Sequence, residues 1–205
     1  MDENQQYRHA AVVLRSGGIV ALPTDTVYGL CAVATDGAAV ARIYEIKGRD
    51  AGQALPIFVG STEQAELIAE LTAPARALAA AFWPGALTMV LRRKPAFATR
   101  AAAGGETIAV RVPGDAVIRE LALQLGPLTG TSANRAGGDE CHTAAEVRAQ
   151  LGDAVDLVVD AAVAATGRPS TLVDCTDAAR VRVLRDGAVT RAELEAALAG
   201  VAALI

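Results

Sequence analysis

Cations and hydroxyls recur in this sequence at points where a strand or helix must end. Lys47-Gly48-Arg49 sets two fixed positive charges on either side of a glycine, which lets a ligand approach the backbone closely. Pro23-Thr24-Asp25-Thr26-Val27-Tyr28-Gly29-Leu30 and Thr131-Ser132-Ala133-Asn134 offer hydroxyl and amide groups that both donate and accept. Arg111, Pro169-Ser170-Thr171 and Arg185 add guanidinium groups and further hydroxyls. Taken singly, each segment is compatible with an ordinary turn, a solvated helix end or an edge-strand arginine. Taken together, Lys47, Arg49, Arg111 and Arg185 among hydroxyls describe an anion pocket suited to phosphates and a carboxylate. No nucleophile accompanies them. The sequence holds no Ser-His-Asp arrangement, no G-x-x-x-x-G-K-[ST] loop and no G-x-G-x-x-G fingerprint, so covalent hydrolysis, P-loop and dinucleotide-binding readings lack support.

The elements that must carry these groups follow from periodicity. A first helix is expected over Tyr7 to Arg15, stopped by Gly17-Gly18, and then a buried strand over Ile19 to Leu22, closed by Pro23. Asp36 to Lys47 has apolar residues at helical spacing, with Asp36 as N-cap and Gly48 as stop. Arg49 thus follows a helix stop and is expected to be exposed. Apolar Leu55 to Val59 precedes a capped helix from Ser61 through Leu71, and a second helix runs from Pro74 to Phe82. Leu87 to Leu91 reads as a strand, and residues 94 to 106 read as a mobile loop. Thr107 to Val112 alternates as a strand, with Arg111 facing opposite to Val110 and Val112. Ala116 to Leu125 and a Thr143-capped segment to Leu151 are helices; Leu128 to Thr131, Leu157 to Val159, Thr171 to Val173 and Val181 to Leu184 are strands; Arg191 to Leu204 is a terminal helix. This alternation predicts an α/β fold with a mixed or largely parallel twisted sheet flanked by helices.

The 205 residues suit one domain spanning 1–205, and 52% hydrophobic residues against 20% charged exclude overall disorder. Only 3% are aromatic, so the core must be built from Ala, Val, Leu and Ile. A formal net charge of -4 removes the electrostatic argument for a dedicated nucleic-acid binder, while leaving room for a local basic cleft. Cys31, Cys141 and Cys175 are widely spaced, with only His9 and His142 to assist, which indicates reduced thiols rather than disulfides or a zinc site. The polar start lacks an apolar signal region, and no apolar run is long enough to span a bilayer, so a cytoplasmic protein with no membrane partner is expected.

The segments Ala21 to Leu30, Ile43 to Arg49, Trp83 to Thr88, Ala109 to Pro113, Thr131 to Asn134 and Pro169 to Asp174, in that order, resemble the YrdC family of threonylcarbamoyl-AMP synthases. The resemblance covers about residues 8 to 190, and the K-x-R and S-x-N pair is that family's hallmark. It implies a concave cationic cavity in which L-threonine, bicarbonate and ATP become threonylcarbamoyl-AMP and pyrophosphate, for threonylcarbamoyladenosine modification of tRNA. Longer members carry a second C-terminal domain, and this chain is similar to the short form. The implied mechanism needs no protein nucleophile: the amine adds bicarbonate to give a carbamate, whose oxygen attacks the α-phosphate, so the protein positions groups and stabilises charge.

Residue by residue, the resemblance implies that Thr26, Arg111, Thr131 and Ser170 hold threonine, with Arg111 on its carboxylate. Lys47, Arg49, Thr107, Ser132, Asn134 and Arg185 would line the ATP side, with Lys47 and Arg49 at the reacting phosphate. Mg2+ would arrive with ATP, and no residue of the chain is assigned to a metal. The product would pass to a tRNA threonylcarbamoyl-transferase complex, with contact to RNA. Three positions depart from the family pattern. Asp50 stands where proline is usual, and Gln53 and Phe58 stand near where many members have asparagine and histidine. Two other readings stay open on the residues: a module that holds double-stranded RNA or tRNA, and a paralogue acting on another carbamoyl substrate.

Overall fold

The computed structural model describes residues 2–161 and 168–205. Helix α1 (Glu3–Arg15) is followed by β1 (Val20–Leu22) and β2 (Gly29–Cys31), then α2 (Gly37–Lys47), β3 (Ile57–Phe58), α3 (Thr62–Ile68), β4 (Ala69–Glu70) and α4 (Ala73–Phe82). Next come β5 (Leu87–Arg93), β6 (Thr107–Arg111), α5 (Ala116–Leu125), β7 (Leu128–Thr129), β8 (Thr131–Ser132) and α6 (Ala144–Leu151). The chain continues with β9 (Leu157–Val158), β10 (Thr171–Asp174), β11 (Arg180–Arg185), α7 (Arg191–Leu198) and β12 (Ala203–Leu204).

These strands form two mixed sheets among the described residues. The smaller runs β8-β2-β1-β9, and the larger runs β12-β11-β10-β5-β6-β3-β7 with β4 beside β5. In the larger sheet β10 is parallel and β6 antiparallel to β5, while β3 is parallel to β6. One body of buried side chains centres on Ile43, Ile57, Leu87, Met89 and Val110. A second, with Leu14, Leu22, Ile118 and Leu128, lies where α1 and α5 meet. Each such fully buried Leu or Ile contributes on the order of 1.5–3 kcal/mol relative to exposure.

Local chemistry sets the element ends that matter for the site. Asp36 Oδ1 accepts from the backbone N–H groups of Ala38 and Ala39, each at 3.0 Å, and so satisfies donors at the start of α2. Gly48, at φ 61°, turns the chain out of the same helix in the left-handed conformation that glycine adopts without penalty. Helices α6 and α7 both start with capping boxes, Thr143 with Glu146 and Thr190 with Glu193.

Several expectations are corrected. Helix α1 begins at Glu3, because Asp2 and Gln5 close a capping box over a polar first turn that has no apolar period. The strand expected over Leu128 to Thr131 splits at Gly130 into β7 and β8, which belong to different sheets. Residues 94–106 are packed rather than loose: Phe97, Ala101 and Ala102 are buried, Leu55 N donates to Ala101 O, and Thr99 Oγ1 donates to Ala34 O at 2.5 Å. The terminal helix ends at Leu198; past Gly200 at φ +75°, Ala203–Leu204 pairs in parallel with β11. No helix of the described residues is long and apolar enough to cross a membrane.

Candidate active site

A cavity of about 330 Å³ is lined from both sheets. Its floor is the alternation of the larger one: Thr88 and Val90 on β5, Ala109 and Arg111 on β6, and Ser170 and Leu172 at the start of β10 all project to the same side. The smaller sheet supplies Thr24 and Thr26 from the β1–β2 connection and Thr131 and Ser132 from β8. Arg49 and Arg185 complete the positive charge, giving three guanidinium groups over one hydroxyl-lined hollow. A second hollow of about 620 Å³ lies beside Tyr44, Glu45 and Arg100, and Arg49 lines both.

Arg111 is the most tightly held of these groups. Its Nε donates to Gly85 O at 2.9 Å and its Nη1 to Thr26 Oγ1 at 3.0 Å, while Nη2 lies 2.7 Å from Asp25 Oδ1. That last contact is close as an ion pair but not aligned as a hydrogen bond, so both atoms keep unused hydrogen-bonding capacity. Burial lowers the proton affinity of Arg111 and Asp25 offsets it, so a guanidinium that is 3% exposed keeps its charge. The guanidinium also stands over the Phe58 ring, 5.9 Å from its centroid.

The neighbouring threonines are oriented by the same network. Thr24 Oγ1 donates to Val27 O at 2.7 Å and lies 3.0 Å from Thr26 Oγ1. Thr24 Oγ1 also accepts from the backbone N–H groups of Thr26 at 3.0 Å and Val27 at 3.2 Å, while Thr26 Oγ1 accepts from Arg111. One lone pair of Thr26 remains free to accept from a ligand. On the opposite wall, Arg185 Nη2 donates to Ser170 O at 2.8 Å and to Ser170 Oγ at 3.2 Å, and Thr88 Oγ1 lies 2.8 Å from Ser170 Oγ.

Lys47 stands behind the wall. Its Nζ donates to Ser132 O at 2.5 Å and to Asn134 O at 2.8 Å, so it braces the Thr131–Asn134 segment. Burial, with Arg49 nearby, pulls its pKa down to about 8. Asn134 also turns inward: its Nδ2 donates to Arg135 O and Gly138 O, shaping the following loop, and its Oδ1 is buried without a hydrogen bond.

Of the residues singled out in the sequence, Thr26, Arg49, Arg111, Thr131, Ser132, Ser170 and Arg185 line the one cavity. Lys47 and Asn134 lie outside its lining, next to it, and Thr107 sits at the far end of β6, paired with Arg92. Arg49 is half-buried rather than exposed, with Nη2 donating to Ala54 O at 3.1 Å and a buried Nε that has no partner. Asp50 is exposed, is not part of the cavity lining, and caps its own turn by accepting from Gly52 N at 2.9 Å. Gln53 is exposed, whereas Phe58 is a buried part of the wall. Sequence reasoning missed Thr88 and Glu140 in the wall and Asp25 as the brace of Arg111. The alternation of β5 was a usable signal for Thr88; for Glu140, in an irregular loop, there was none.

A family model named for Sua5, YciO and YrdC and described as telomere recombination matches residues 12–187. The chain is 39% identical over 202 residues to a threonylcarbamoyl-AMP synthase of Bacillus subtilis (strain 168), covering 94% of this chain and 56% of that protein. It is also 39% identical over 173 residues to a threonylcarbamoyl-AMP synthase of Chromohalobacter salexigens, covering 80% of this chain and 90% of the relative. The crystal structure of Sua5 from P. abyssi complexed with L-threonine superposes with a TM-score of 0.90 at 35% identity, over 99% of this chain and 60% of that one. E. coli YciO, at 24% identity and a TM-score of 0.81, shares the fold. The chain thus spans a little over half the length of two of these relatives.

Proposed function

We propose, because this chain belongs to the Sua5/YciO/YrdC family, that it joins L-threonine, bicarbonate and ATP into threonylcarbamoyl-AMP with release of pyrophosphate. The observation that carries this reading is the convergence of Arg49, Arg111 and Arg185 on one hydroxyl-lined cavity that contains no activated nucleophile. Such a site is built to hold anions in line and not to form a covalent intermediate.

The reaction balances without a covalent enzyme species. The threonine amine attacks bicarbonate and expels water to give the carbamate; a carbamate oxygen then attacks the α-phosphorus, and the pyrophosphate oxygen leaves with its bonding pair. Arg111 receives the amino-acid carboxylate, with Thr26, Thr131 and Ser170 around it. Arg49, Ser132 and Arg185 face the phosphates, where fixed cations stabilise the charge that gathers on the transferring group. Lys47 and Asn134 act by shaping the Thr131–Asn134 wall, and Thr107 receives no role.

Among the described residues no cluster of acidic, histidine or cysteine side chains is suited to a resident metal. Mg2+ therefore fits best as the ion carried by ATP, held by phosphates and water, and it would neutralise phosphate charge. The enzyme is then a nucleotidyltransferase, working in the cytoplasm, where its three unpaired and buried thiols stay reduced. Its unstable product passes to a tRNA threonylcarbamoyl-transferase complex. Contact with RNA remains a secondary expectation, since the cavity wall offers few aromatic faces for base stacking.

The test is pyrophosphate release by the purified chain with ATP, magnesium and bicarbonate, comparing L-threonine with L-alanine, L-serine and no amino acid. Release that needs threonine and bicarbonate together is expected. Folded protein that releases none overturns the reading in favour of an RNA-binding module or a paralogue with another carbamoyl substrate.

A further inference from the structure

We propose that Glu140 receives the α-ammonium group of the amino-acid substrate, an assignment that rests on the synthase reading above. Among the described residues, Glu140 is the one carboxylate that lines the cavity, in the same lining as Arg49, Arg111 and Arg185. Its side chain makes no hydrogen bond and no ion pair with any described residue. The Glu140 charge is felt by Lys47 behind the wall, and toward the cavity it repels ATP and bicarbonate while favouring a bound cation. Of the substrates, the amino acid alone carries a positive group.

The backbone brings the Glu140 segment beside the β1–β2 connection. Tyr28 N donates to Cys141 O at 2.9 Å, and Ala133 N donates to Tyr28 O at 2.8 Å. Residues 140–141 therefore run alongside the connection that carries Thr26. The hydroxyl of Thr26 accepts from Arg111 and keeps a further lone pair for a ligand donor. Arg111, bonded to that hydroxyl, would take the carboxylate. A zwitterion thus meets a guanidinium for its anion and two acceptors, Thr26 Oγ1 and the Glu140 carboxylate, for its ammonium. Such pairing favours the amino acid over hydroxy acids, whose hydroxyl in place of the amine leaves the carboxylate without its charged partner.

The test is calorimetric binding to the full chain of L-threonine, of 2,3-dihydroxybutanoic acid as its amine-free analogue, and of ATP with magnesium, for wild type and Glu140→Gln. Threonine binding by wild type tests the synthase reading by itself. Loss of one charge-assisted contact is expected to weaken threonine binding to Glu140→Gln about tenfold, with the analogue and ATP unchanged. An equal loss for threonine and analogue would make Glu140 merely structural. A loss confined to ATP with magnesium would make it a ligand of the metal. Either result overturns the assignment, and matched thermal melts verify that the isosteric variant is folded.

Discussion

Arg111 Nη1 donates to Thr26 Oγ1 over 3.0 Å, joining the last residue of β6 in the larger sheet to the β1–β2 connection of the smaller. The same guanidinium reaches Gly85 O and sits against Asp25 Oδ1, so its planar fork makes three contacts on two separate segments. A lysine keeps the charge but is a point donor and cannot serve all three. Arg111→Lys should therefore fold yet lose about 100-fold in kcat/KM for threonine, the equivalent of two charge-assisted hydrogen bonds. Steady-state pyrophosphate release gives the number, and an unchanged KM for threonine would remove Arg111 from the substrate.

Lys47 gives a prediction about pH. Its two bonds to Ser132 O and Asn134 O use two of the three ammonium donors, and a neutral amine could still make both. What deprotonation removes is the third donor and the positive charge behind the phosphate wall. Because the pKa is lowered to about 8, the charged form prevails below that pH and is lost above it. At saturating threonine, kcat should fall as pH rises through about 8, and Lys47→Arg, whose charge does not titrate there, should move that limb to higher pH. A wild-type profile that stays flat to pH 9.5 (about 1.5 units beyond the shifted value) would show that the charge plays no part.

Thr88 Oγ1 lies 2.8 Å from Ser170 Oγ, and both are buried in the floor. Removing one neutral partner costs about 1 kcal/mol, roughly a fivefold change in affinity. Thr88→Val, close in shape, should raise KM for threonine about fivefold and leave KM for ATP in place. If both constants rise together, Thr88 supports the fold of the whole cavity and not the amino-acid end.

Much of this site was legible because short-range chemistry fixed it. Asp36 and Gly48 mark the ends of α2 in the sequence as in the structure, and Lys47-Gly48-Arg49 follows from them. What the helix spacing did not say is that Lys47 shares the buried face of Ile43 and Tyr44, which turns its ammonium toward the Thr131–Asn134 carbonyls. β2 was missed because Gly29–Cys31 is defined by pairing with β1 across a polar connection, a long-range partner that local periodicity cannot display. β12 was read as helix because Ala and Leu favour helix locally, whereas the chain after Gly200 pairs with the free edge of β11. Asp25 and Glu140 depend on tertiary contacts alone, Asp25 through Arg111 and Glu140 through the Tyr28–Cys141 hydrogen bond.

The shape of the cavity wall depends on a glycine, which provides the last prediction. Gly130 separates β7 from β8, lets the chain pass from one sheet to the other, and lines the cavity beside Phe58. A Cβ at this position would lie 2.5 Å from two carbons of the Phe58 ring, closer than real contacts allow. The ring cannot simply retreat, because it is buried under Arg111 with the α1–α5 body of apolar side chains behind it. Gly130→Ala should therefore destabilise the protein by about 1–3 kcal/mol, the usual cost of overpacking, and push the ring toward the cavity. Threonine binding should weaken with it. Adding Phe58→Leu removes the ring edge that the new methyl meets, so the double variant should recover part of the stability that Gly130→Ala loses. Denaturant melts of the two single variants and the pair measure that coupling directly. Strictly additive effects would mean that the Gly130 backbone, and not its contact with Phe58, sets the cost.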